Sequence, residues 1–233
     1  MDRDDIFCFD GGNRLIKSCT TDKEDSWVHA IQVMGKTDYI NEIRREAHND
    51  MYIVNDEYVR VGYRAESYSN ALQGAGRYEN QQYYQTMLGI SLFSIYDKGR
   101  RDITLFAGHA PQDISFRDTI HHSAMANPIT VEQNGTVKTF KIKKVEFWDE
   151  PIGGIMNQIL TSTGKQVKGA SYTDGATIVF DIGGFTLDCA VIENNQVRTD
   201  ELDSYTQTNL IKIESALFNV IREEYPSWTA NVQ

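Results

Sequence analysis

The stretch Phe180-Asp181-Ile182-Gly183-Gly184-Phe185-Thr186-Leu187-Asp188 joins one apolar run, Thr177–Phe180, to another, Thr186–Ile192. An apolar strand, an aspartate at its end, a glycine-bearing turn and a returning apolar strand together read as a β-hairpin. The chain opens on the same pattern: Ile6–Phe9 leads into Asp10-Gly11-Gly12-Asn13, and Leu15–Cys19 returns. Both copies place a glycine two residues after the aspartate. Glycine lets backbone N–H groups approach phosphate oxygens with no Cβ in the way, and a neighbouring aspartate can hold a hydrated magnesium ion. Taken singly, either turn reads first as an ordinary hairpin. The repeat at a common offset points instead to two turns that grip one nucleotide from opposite sides.

Between the turns the elements alternate. Strand-like pieces at Trp27–Met34, Met51–Val54 and Glu57–Val61, the last two joined at Asn55-Asp56, suggest a small strand-rich insertion at about 28–78. A helix is predicted over Asn80–Tyr96 with Tyr84, Met87, Leu88 and Ile95 on one face. The strand Ile103–Ala107 then meets Gly108-His109-Ala110-Pro111, and a helix follows near Ser115–Met125. Asn134-Gly135 marks a hairpin between Ile129–Glu132 and Thr136–Ile142, whose second arm continues through Val145–Trp148. Past Asp149-Glu150-Pro151, a helix carries Ile152, Ile155, Met156, Ile159 and Leu160 on one stripe and ends at Gly164. A polar linker spans 161–175. The last helix, Thr206–Glu224, is predicted to bury Leu210, Ile213, Leu217, Val220 and Ile221. The fold class is α/β, with one domain over 1–165 and the beginning of a second over 174–233.

Composition narrows the function classes. With 40% hydrophobic residues in 233, the chain can bury a real core. Its net charge of -10 disfavours direct binding to nucleic acid or an anionic membrane, so any link to DNA calls for an adaptor. The apolar runs are strand-sized and the N-terminus opens on Asp2, Arg3, Asp4 and Asp5, which indicates neither export nor membrane insertion. Cys8, Cys19 and Cys189 lack CxxC spacing and read as reduced core thiols, in keeping with a cytoplasmic location. His121-His122 reads as helix surface rather than a metal site, and the six tyrosines Tyr58, Tyr63, Tyr68, Tyr78, Tyr83 and Tyr84 read as core, with a protomer interface as the alternative. The GxxxxGK[ST], GxGxxG and GxSxG signatures are absent.

The segment Phe180–Asp188 resembles the second phosphate loop of the ParM and StbA group of actin-like ATPases, in the superfamily of actin, Hsp70 and sugar kinases. Asp10-Gly11-Gly12-Asn13-Arg14-Leu15-Ile16-Lys17 is similar to that group's first phosphate hairpin, and 129–160 to its hairpin, strand and connecting helix. The resemblance implies an actin-like, ribonuclease H-like lobe of mixed sheet with flanking helices, followed by the start of a second such lobe. It implies ATP and Mg²⁺ as cofactors, with Asp10 and Asp181 holding the metal through water. Phosphate contacts would come from Gly12, Asn13, Arg14, Lys17, Gly183, Gly184, Phe185 and Thr186, and Glu150 would position the attacking water. Arg14 departs from the small residue commoner in the family. The implied function is ATP-dependent filament formation for plasmid or phage DNA segregation, with other protomers and a DNA-binding adaptor as partners. The family's second insertion and late glycine-rich segment for adenosine and ribose have no counterpart here. The chain is therefore expected to be a fragment of a longer ATPase, hydrolytic once that part is included. The alternatives are a shortened, non-hydrolysing interaction module and a small-metabolite kinase.

Overall fold

The computed structural model describes residues 6–44, 49–72, 78–161, 165–167, 175–183, 186–193, 196–198, 203–205 and 210–224. Its contacts divide the chain into two compact units, Met1–Glu150 and Pro151–Gln233.

The first unit is built on one nine-stranded sheet. Its antiparallel arm comprises β1 (Ile6–Asp10), β2 (Leu15–Cys19) and β3 (Glu24–Val28). Next to β1, and parallel to it, runs β7 (Arg100–His109), which in turn pairs in parallel with β9 (Thr136–Asp149). The sheet continues through β8 (Ile129–Gln133), β5 (Met51–Val54), β6 (Glu57–Val61) and β4 (Ile31–Met34). The strands of the expected insertion are hydrogen-bonded to the main sheet through Ile53 opposite Glu132 and Val54 opposite Val131. Two tight turns sit where the dipeptides require them. Asn55 and Asp56 both take positive φ, 46° and 68°, as do Asn134 at 49° and Gly135 at 78°, the signature of a turn matched to strand twist.

Strand alternation sets the core. Phe7, Phe9 and Ile16 are buried, whereas Leu15 and Lys17 are exposed. The helix α3 (Gln81–Ile95) covers the buried face and is itself enclosed nearly all round, rather than along the single face that its apolar spacing predicted. Polar residues on its other sides are buried because each has a partner. Gln85 Nε2 donates to the Ser123 carbonyl at 2.9 Å and its Oε1 accepts from Asn55 Nδ2 at 3.0 Å; Ser91 Oγ accepts from Trp27 Nε1 at 3.1 Å. At Gly89 the helix lies so close to the sheet that a Cβ would stand 2.7 Å from an Ile129 methyl. A 3₁₀ turn, Pro111–Phe116, precedes α4 (Arg117–Met125), on which His121 and His122 are exposed as expected. Of the six tyrosines, Tyr78, Tyr83 and Tyr84 are core, while Tyr63 and Tyr68 face solvent.

In the second unit, β10 (Ala176–Ile182) and β11 (Leu187–Glu193) form an antiparallel hairpin, extended by the short β12 (Gln196–Val197) and β13 (Asp203–Tyr205). The helix α5 (Glu150–Ile159) buries Ile152 and Ile155 with Ala190 and Ile192, as its stripe predicted. The helix α6 (Leu210–Glu224) differs from expectation. Its stripe is present, but Leu210, Ile213, Leu217 and Val220 are exposed, as are Ile178, Phe180 and Ile182 along β10. Periodicity identified the apolar face without supplying anything to cover it. Gly164, expected to end α5, lies outside the described residues. Among the described residues no helix is long and apolar enough to cross a membrane.

Candidate functional site

The carboxyl ends of three parallel strands lie side by side in the first unit. Asp10 at the end of β1 is in register with Gly108 of β7, and Gly108 with Trp148 of β9, which reaches Glu150 two residues later. In sheets with parallel strands, ligands bind outside these carboxyl ends. Gly108 leaves space there. A Cβ at this position would stand 3.5 Å from both Glu150 Oε1 and the Phe9 carbonyl oxygen.

Asp10 is opposite Lys17 in the β1–β2 ladder, and Lys17 Nζ donates to Asp10 Oδ2 at 3.0 Å. The other carboxylate oxygen, Oδ1, is buried and accepts no hydrogen bond from a described residue. A buried carboxylate oxygen left in that state is costly unless a cation or a donor joins it. Gly12 closes the turn. A Cβ on it would lie 2.6 Å from the Leu15 carbonyl oxygen and 3.3 Å from Asp10 Oδ1, so no larger residue fits this cradle without a shift. Asn13 is half-buried and Arg14 exposed.

Sequence reasoning missed the residue that fixes this turn. His29, buried just past β3, has its Nδ1 2.5 Å from the Gly12 carbonyl oxygen and its Nε2 2.7 Å from the Tyr83 hydroxyl on α3. The carbonyl can only accept, so Nδ1 donates to it and Nε2 accepts from Tyr83. The His29 backbone N–H also donates to the Arg14 carbonyl at 2.9 Å. The turn is therefore tied to the core helix through one imidazole. His29→Ala removes both ring hydrogen bonds, and a loss of about 2 kcal/mol is expected from the urea midpoint at unchanged m-value; Tyr83→Phe, which removes one, is expected to cost about 1 kcal/mol.

A second missed cluster braces the strand end before Glu150. Arg117 Nε donates to His109 Nε2 at 2.7 Å, the His109 Nδ1 donates to the Ala110 carbonyl at 3.0 Å, and Arg117 Nη2 pairs with Asp149 at 3.3 Å. Nothing in the local sequence joins these three positions, because they meet only through the parallel pairing of β7 with β9.

The second unit repeats the first turn's geometry. Gly183 N–H donates to the Thr186 carbonyl at 2.8 Å, and a Cβ on Gly183 would stand 3.3 Å from that oxygen, just as Gly12 is hemmed in by Leu15. The Gly183 carbonyl accepts from the Leu210 N–H at 3.0 Å, so the first residue of α6 is tied to the turn. Asp181 is opposite Asp188, the rung equivalent to Asp10 opposite Lys17. Asp188 is buried and accepts from Thr186 Oγ1 at 2.9 Å and from Ser204 Oγ. Asp181 itself is exposed. Gly184 and Phe185, the two further predicted phosphate contacts, lie outside the described residues. Among the described residues no three His, Cys, Asp or Glu side chains gather as a direct metal cage.

No protein-family model matches the chain, and no curated protein matches it. Solved structures do. The apo pSK41 ParM protein superposes with a TM-score of 0.67 at 16% identity, over 94% of this chain and 72% of that one. The archaeal actin homolog Ta0583 gives 0.71 at 17% identity, over 97% and 68%. This chain has the ParM-type actin-like fold. A ParM from Clostridium botulinum, solved as a 15-stranded filament, gives 0.68 at 13% identity over 97% and 70%, so the actin-like fold here spans about 70% of the length of these neighbours. Ta0583 has also been solved in complex with ADP, and it superposes on this chain at a TM-score of 0.68. At such identities the likeness concerns the fold. It agrees with the mixed sheet, flanking helices and smaller second sheet seen here.

Proposed function

We propose that this chain is the nucleotide-binding part of an actin-like ATPase whose protomers assemble into filaments that segregate plasmid or phage DNA through a DNA-binding adaptor. The observation that carries the reading is the grouping of Asp10, Gly12, Lys17, Gly108 and Glu150 at the carboxyl ends of β1, β7 and β9. The residues fit a magnesium nucleotide: Asp10 Oδ1 is a buried acceptor with capacity to spare, and Gly12 lines a cradle that a Cβ would fill.

In this reading Asp10 and Asp181 hold Mg²⁺ through water, and the bound metal supplies charge neutralisation on the phosphates. Lys17 and the turn groups of Gly12, Asn13 and Arg14 bind and orient phosphate oxygens. Gly183, Gly184, Phe185 and Thr186 are the second unit's contribution. Glu150 orients a water and takes its proton. Filament neighbours such as the Clostridium botulinum ParM support self-association, and the ADP complex of Ta0583 supports nucleotide binding.

The test uses this chain with a fluorescent ATP analogue, with and without Mg²⁺, beside light scattering with ATP and with ADP. Magnesium-dependent binding displaced by unlabelled ATP, and scattering that rises with ATP more than with ADP, are the expected results. Absence of displaceable binding removes the nucleotide reading, and binding without any rise in scattering removes filament formation by this chain.

A second reading, a non-hydrolysing interaction module, is favoured by one observation: the exposed apolar residues Ile178, Phe180 and Ile182 on β10 and the uncovered stripe of α6. Nucleotide binding separates the two.

A further inference from the structure

Cys8 and Cys19, read from sequence as reduced core thiols, face one another across the β1–β2 ladder. They are directly paired, one from each strand, and both are half-buried rather than enclosed. Directly opposed residues of an antiparallel pair have Cα atoms about 4.5–5.5 Å apart, inside the span of about 4.4–6.8 Å that a disulfide bridges without backbone movement. Two rungs along the same face lie Asp10 and Lys17.

We propose that Cys8 and Cys19 form a cross-strand dithiol that hydrogen peroxide oxidises to an intramolecular disulfide. The nucleophile is Cys19. The facing Cys8 thiol lowers that of Cys19 to about 7, against burial and the charge of Glu24. A thiol that titrates near ambient pH is the best placed to attack.

In the first step the Cys19 thiolate attacks one peroxide oxygen and the O–O bond breaks. Cys19 becomes a sulfenic acid, and the departing hydroxide takes up the proton that Cys19 released, giving water. In the second, the Cys8 sulfur attacks the Cys19 sulfur, the S–O bond breaks, and a second water leaves with the Cys8 proton. Two thiols lose two electrons and the hydrogen peroxide gains two. Cys189 has no part in this. It lies on β11 opposite Phe180, and burial, followed by the charges of Asp188 and Asp203, pushes its thiol up.

The experiment treats the native chain with hydrogen peroxide at neutral pH, counts thiols with a chromogenic disulfide, and maps peptides by mass. The three thiols are expected to fall to one, with a Cys8–Cys19 crosslink that dithiothreitol reverses. C8S is expected to stop at a Cys19 sulfenic acid trapped by dimedone, and C19S to react at least tenfold more slowly; the urea midpoint of each variant reports that it is folded. Three thiols left intact, a sulfinic acid on Cys19 in the native chain, or crosslinks only between molecules would each overturn the proposal. None of these outcomes bears on nucleotide binding.

Discussion

In the full-length ATPase, Glu150→Ala is expected to slow phosphate release from ATP by about 10²–10⁴-fold while leaving the affinity for a fluorescent ATP analogue within a few-fold of the parent. The argument starts at the strand ends. Glu150 follows the last residue of β9 and begins α5, and its Oε1 is buried beside Gly108, in the row that includes Asp10. A carboxylate there can orient a water and accept its proton, whereas the phosphate-binding groups belong to the turn between β1 and β2. Removing it takes away a contribution made in the transition state and little of the binding. Glu150→Gln, which keeps the shape and can still hold water but is a poor base, is expected to fall between the two. Polymer formed by the alanine variant in ATP is expected to persist after the parent's has disassembled. Parent-like phosphate release by the variant would remove Glu150 from the chemistry and leave the binding site standing.

The second large effect is on stability. Phe9 is buried in β1, its ring meets Tyr84 edge-on at 5.8 Å, and it also underlies the turn: a Cβ on Gly11 would stand 3.4 Å from the ring. Phe9→Ala is expected to cost about 3–5 kcal/mol, from lost burial plus the cavity left in a sheet that cannot collapse around it. Phe9→Leu, which keeps most of the volume, is expected to cost about 1–1.5 kcal/mol. Urea denaturation of both variants measures this. A loss under about 1 kcal/mol for the alanine variant would mean that the turn is not supported from below. Because the ring bears on Gly11, the alanine variant is also expected to weaken nucleotide binding more than Phe9→Leu does.

What the sequence disclosed and what it withheld divide along the range of the interactions. Asn55-Asp56, Asn134-Gly135 and the two aspartate–glycine turns were legible because backbone conformation there is dictated by neighbouring residues. The enclosure of α3 was not legible. Gln85 and Ser91 look like a solvated face until Asn55 and Trp27, remote in sequence, satisfy them. For the same reason the pairing of β5 with β8, which joins the insertion's strands to the main sheet, leaves no local trace. His29 escaped notice because a lone histidine after a strand carries no motif; only its simultaneous contacts with Gly12 and Tyr83 disclose its role. The stripe of α6 shows the converse limit, a pattern read correctly whose covering partner was assumed.

The parallel seam between β1 and β7 has a bearing on biosynthesis. Ile6 pairs with Thr104 and Asp10 with Gly108, so one edge of β1 waits for a strand that lies far along the chain. The meander of β1 to β3 has no covering helix until α3 has been translated. Closing so long a loop must precede its reward, which makes such folds slow to mature and exposes Phe7 and Phe9 during elongation. Until the strand carrying Gly108 has been made, that edge of β1 lacks its native partner.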